Sequence, residues 1–105
     1  MPLATNLSAY EDCFDLFDRA KQSPRGIRVS VLDQGAAYQL RLRLYYSRRL
    51  LRDEARTIYA HDDPAYGISA FDALAISIRE VEEQWWVFIE PRSVIGEIQE
   101  LGAAE

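Results

Sequence analysis

Between residues 36 and 59 the apolar side chains Ala37, Leu40, Leu44, Leu51, Ala55 and Ile58 recur at spacings of three, four, seven, four and three. A helix brings such a series onto one side, because its side chains return to the same face every 3.6 residues. The pattern persists through some six turns, and the stretch is rich in Leu, Arg and Ala, all good helix formers. Within it, "LRLRL" alternates as a strand would. A strand spanning the whole stretch would far exceed normal strand lengths. The spacing therefore predicts a long helix over 36–59.

The rest of the 105-residue chain is arranged around that helix. Tyr10, Cys13, Phe14 and Phe17 share one helical face, Ser8 and Glu11 form a capping-box pair, and Pro24 closes the segment, so a first helix is expected over 8–22. In 26–32, "GIRVSVL" alternates Ile27, Val29 and Val31 with Arg28, Ser30 and Leu32, the mark of a strand, and "DQG" follows as a turn. Ser69 and Asp72 resemble a second capping pair, which predicts a helical turn there. "LAISIREVEEQWWVFIEP" has both helical and strand periodicities; its clustered β-branched residues favour a hairpin, with strands near 74–81 and 85–90 and a turn at 82–84. Val94, Ile95, Ile98 and Leu101 predict a short C-terminal helix. No repeat or linker divides the chain. The expectation is a single α+β domain over 1–105: N-terminal helix, strand, long basic helix, antiparallel β-hairpin and short C-terminal helix, with a small three-stranded sheet packed on helices.

Formal net charge is −5, yet the long helix carries six arginines against Asp53 and Glu54. On a wheel of about 100° per residue with Arg41 at zero, the apolar set falls between roughly 260° and 320°. Arg41, Arg48, Arg49, Arg52 and Arg56 occupy an arc beside it together with Tyr38, Tyr45 and Tyr59, and only Arg43 points elsewhere. A row of guanidinium forks interleaved with phenol rings suits a phosphodiester strand, the forks for phosphates and the rings for bases. This nominates Arg41, Tyr45, Arg48, Arg49, Arg52, Arg56 and Tyr59 as a nucleic-acid surface. The competing use is internal: Glu11, Asp12, Asp15 and Asp18 of the first helix can neutralise the row if the helices are neighbours. An acidic protein partner is a third use. The remainder of the chain is strongly acidic, which fits a protein-binding module or an inhibitor of a host protein.

"WWVFIE" (85–90) places Trp85, Val87 and Ile89 on one face and Trp86 and Phe88 on the other, so both faces are apolar. One long helix covers one face of a three-stranded sheet. The first or last helix, a second copy of the chain or another partner must cover the other. A homodimer with Trp86 and Phe88 at the contact is expected.

Other chemistry finds little support. His61 is the only histidine, set beside Asp62 and Asp63 in a turn-rich loop without zinc or EF-hand spacing, so no metal site is expected. No nucleophile–base pair and no phosphate-cradling glycine loop is present, which predicts a non-enzyme without cofactor. One cysteine, Cys13, allows no internal disulfide and points to a reducing compartment. The start, "MPLATNLSAYED", has no basic region followed by an apolar run, and no stretch reaches the ~20 apolar residues of a membrane span. A cytoplasmic protein is expected.

In order and flavour, "SPRGIRV", the arginine–tyrosine helix, "DDPAYGISAFDALAI" and "WWVFIEP", together spanning 23–91, resemble small uncharacterised accessory proteins of tailed bacteriophages. The resemblance implies a phage-encoded protein made in a bacterial host cytoplasm, of a kind that commonly binds nucleic acid or host proteins and seldom catalyses.

Overall fold

A computed structural model describes residues 7–92. It contains two helices and three strands in the order α1 (Glu11–Gln22), β1 (Ile27–Val31), α2 (Gln34–Ile58), β2 (Leu74–Val81) and β3 (Gln84–Pro91). The expected C-terminal helix lies outside the described residues. α1 begins at Glu11 rather than at Ser8, and Tyr10 at its N-cap supplies no side-chain cap. α2 begins two residues before the expected start because Asp33 caps it, its carboxylate accepting the Ala36 N–H at 2.8 Å.

The sheet order is β1-β3-β2, antiparallel throughout, so the Trp-Trp strand is central. In register, Ile27 faces Ile89 and Ile89 faces Ile76; Val29 faces Val87 and Val87 faces Ile78. Those side chains form the inner face. Cys13, Phe17 and Ala20 of α1 and Ala37 and Leu44 of α2 are buried in one cluster with Ile76, Val87 and Ile89. Both helices therefore pack on the same face, and α1 does not cover the second face of the sheet. The result is a two-layer α+β arrangement.

Two backbone details hold the sheet together. Gly26 enters β1 at φ +81°, and a Cβ there would lie 2.2 Å from the Ile89 carbonyl oxygen, so β1 and β3 approach as closely as they do only because the residue is glycine. The β2–β3 connection is a two-residue turn in which Glu82 and Glu83 take φ of 53° and 66°. Tight hairpins need this left-handed pair, usually supplied by Asn-Gly. Here two glutamates accept the strain.

Candidate nucleic-acid interface

Two surfaces bring arginine and aromatic side chains together, one on each side of the two-layer fold. The first is the outward side of α2, nominated by the sequence. Arg48 does not reach it. It is 4% exposed, and its guanidinium donates to the carbonyls of Phe71 at 3.2 Å and Leu74 at 2.7 Å, fastening the turn that leads into β2. Burial, and next the neighbouring Arg52, lower its pKa, and its Nε has no hydrogen-bond partner. In this fold the Arg48 guanidinium is therefore buried against two backbone carbonyls.

Arg52 and Arg56 reach solvent but are engaged. Arg52 Nε lies 2.8 Å from Asp72, whose other oxygen accepts the Ser69 N–H at 3.0 Å; the anticipated Ser69–Asp72 pair thus forms, as part of a hydrogen-bonded turn. Arg56 pairs with Asp53 at 2.6 Å. Arg41 lies over the Tyr38 ring at 5.1 Å, Tyr45 lies 5.5 Å from the buried Arg48, and Arg49 and Tyr59 are exposed. Arg41 and Arg49 make no ion pair with a described residue.

The acids of α1 play a smaller part than the sequence implies. Asp15 pairs at 3.5 Å with Arg19 of its own helix. The contact between helices is made by Arg43, the one arginine placed apart from the row, which binds Asp12 at 2.6 Å and 3.1 Å and the Ala9 carbonyl at 3.1 Å. Its hydrogen bond holds the Asp12 carboxyl below the ordinary carboxylate value.

The second surface is the outer face of the sheet. Arg28 and Ser30 of β1, Trp86, Phe88 and Glu90 of β3, and Ala75, Ser77 and Arg79 of β2 share it by register. Among the described residues no helix lies on it. The Arg28 guanidinium sits 4.0 Å from the centre of the Trp86 ring, and that of Arg79 sits 4.1 Å from the centre of Phe88. The stacks are diagonal, since Arg28 is registered opposite Phe88 and Arg79 opposite Trp86. Arg79 also binds Glu90 at 2.6 Å, whereas Arg28 has no ion pair with a described residue. Ser77 Oγ, opposite Phe88, is buried without a hydrogen-bond partner. Arg25 precedes β1 and Arg92 follows β3, so both lie at one end of this face. Trp86 and Phe88, expected at a dimer contact, thus lie beneath guanidinium groups and are not bare. Arg28 and Arg79 escaped the sequence reading because arginines 51 positions apart show no common pattern in one dimension (79 less 28). The signal for them is the alternation of β1 and β2 laid against the central strand.

The His61 and Tyr66 rings lie with their centres 4.6 Å apart, tilted by 38°, and no cluster of three or more metal-binding side chains occurs among the described residues. Among the described residues no helix is long and apolar enough to cross a membrane. No protein-family model, curated protein or solved structure matches the chain.

Proposed function

We propose that this chain is a non-enzymatic accessory protein that binds single-stranded nucleic acid on the outer face of its sheet. The observation that carries the reading is the pair of guanidinium–ring stacks, Arg28 on Trp86 and Arg79 on Phe88, on a face that neither α1 nor α2 covers. Rings on a sheet accept bases of any sequence, and guanidinium groups stack on bases as well as bind phosphates. Arg79 shares its charge with Glu90 on this face, but Arg28 on it and Arg25 and Arg92 at one end of it leave a local excess of positive charge in a chain of net charge −5, which orients a polyanion toward it. Relative to the helix row, the sheet face keeps its rings and cations together and does not spend them on backbone carbonyls. The setting implied by the phage resemblance, a bacterial cytoplasm, goes with this proposal.

The test is titration of the two tryptophans' fluorescence with oligothymidylate at 50 mM salt. Quenching is expected, with a slope of log affinity on log salt between about −1.5 and −3 for two to four phosphate contacts. Replacing Trp86 with alanine is expected to cost roughly 1–3 kcal/mol of binding without changing the slope. Wild-type protein that does not bind at 50 mM salt overturns the reading. A protein-binding module engaging a basic partner then takes its place, favoured by Glu11, Asp15 and Asp18, which face solvent along α1.

A further inference from the structure

The end of β3 delivers the chain to an apolar groove. The Arg92 N–H donates to the Ala73 carbonyl at 2.6 Å, which sets the last described residue beside the 69–74 turn that Arg48 fastens. Between that turn and the C-terminal part of α2, Leu51, Ala55, Ile58, Ile68 and Phe71 line an open groove of about 310 Å³. Ile58 is 63% exposed and Ile68 54%. Neither belongs to the buried cluster or to the partly buried side chains around it.

Residues 93–105 follow directly. Among them Val94, Ile95, Ile98 and Leu101 share one helical side, an arc of roughly 120°, and Glu100 falls nearly opposite. A helix of about eight residues is marginal in water without packing, the more so when it contains Gly96 and the β-branched Val94, Ile95 and Ile98. We infer that residues 94–101 form a helix seated in this groove, with Ile98 against Ile68 and the Leu51–Ile58 side of α2. Reach, length and charge select this occupant. Ala73, which holds Arg92, is two positions from Phe71 in the groove wall (73 less 71), so the segment enters without a spanning linker. Eight helical residues cover about 12 Å, and Leu51 to Ile58 on α2 cover about 10 Å. Residues 93–105 include Glu97, Glu100 and Glu105 and no Lys or Arg, whereas Arg48, Arg52 and Arg92 at the groove outnumber Asp72 and Glu54. The other surface within reach, the outer face of the sheet, has its rings already under Arg28 and Arg79. A segment seated in the groove leaves Trp86 and Phe88 free, whether or not they meet nucleic acid.

Disulfide trapping in the full chain at about 1 μM, where pairs within one molecule form far faster than pairs between molecules, tests the seat. Ile68→Cys is combined with Ile98→Cys on the apolar side of the segment, or with Glu100→Cys on its opposite side. Ala75→Cys with Ile98→Cys probes the outer face of the sheet. Cys13 is buried and does not compete. The Ile68→Cys/Ile98→Cys pair is expected to close at least about tenfold faster than either other pair. Equal rates for the three, faster closure of another pair, or a product that is mainly disulfide-linked dimer overturns the seat. Hydrogen exchange on full-length Ile98→Glu protein gives a second reading. Its circular dichroism is expected to match wild type, while the hydrogen-bonded amides of Ser69, Phe71 and Asp72 exchange roughly tenfold faster and those of β3 hold. Unchanged exchange at those three amides overturns the seat as well.

Discussion

Arginine behaves differently on the two layers of this molecule. On α2, Arg43, Arg48, Arg52 and Arg56 find oxygen: Asp12, the Phe71 and Leu74 carbonyls, Asp72 and Asp53. On the sheet, Arg28 and Arg79 lie over the rings of Trp86 and Phe88, and only Arg79 also holds a carboxylate. A side chain on a helix sweeps past the loops and helix ends around it, where carbonyls and carboxylates gather. A side chain on a strand has cross-strand neighbours, and when those are rings it covers them. The same residue thus fastens backbone on one layer and shields apolar surface on the other. This difference is why a row of arginines in sequence is not a row of free cations in space.

The largest test of that contrast is Arg48→Ala. It strands two buried carbonyls and opens space beneath the 69–74 turn, so a loss of about 2–4 kcal/mol is expected in chemical denaturation. A loss below about 1 kcal/mol would show that Arg48 is not the fastener described. The double change Glu82→Asn with Glu83→Gly relieves two left-handed glutamates in the hairpin turn, and a gain of about 1–2 kcal/mol is expected. It also locks the register of the strand that carries Trp86. Arg28→Ala and Arg79→Ala are expected to cost only about 0.5–1 kcal/mol each in stability. They should sharply weaken oligothymidylate binding, which separates shielding from recognition. The smallest effect belongs to Arg43 and Asp12, an exposed pair worth under about 0.5 kcal/mol. The Asp12 carboxyl is held low in the fold, so its contribution is present at neutral pH and lost as pH falls through the acid range. Arg43→Ala is expected to flatten that acid limb of Tm against pH and leave the neutral plateau nearly unchanged.

Much of the frame can be read along the chain, and specific residues show where reading stops. α2 is legible because Ala37 to Ile58 keep one period for six turns, and the hairpin because β-branched residues cluster at 76–78. Arg48 carries a local warning: one heptad after Arg41 it drifts about 20° back toward the apolar arc, and that drift is what buries it. The Arg52–Asp72 pair carries none, because its partner arrives through a loop whose path only tertiary packing decides. Nor does any local signal tell that α1 and α2 share one face of the sheet. Asp33 is readable as a cap but sits inside an apparent Asp-Gln-Gly turn.

The central place of β3 also sets an order in time. Its pairing with β2 closes across the two residues of a turn, from Val81 to Gln84, and α2 needs only neighbours along the chain to form. Its pairing with β1 waits on Val31 finding Trp85, 54 positions away (85 less 31). Such a meeting is slow relative to hairpin or helix formation, because a long loop must close before any contact rewards it. β1 is therefore the strand that arrives last, and the one whose amides are expected to exchange first when the native protein breathes. Arg28 travels with β1, so the lid over Trp86 is as old, and as lasting, as that last strand.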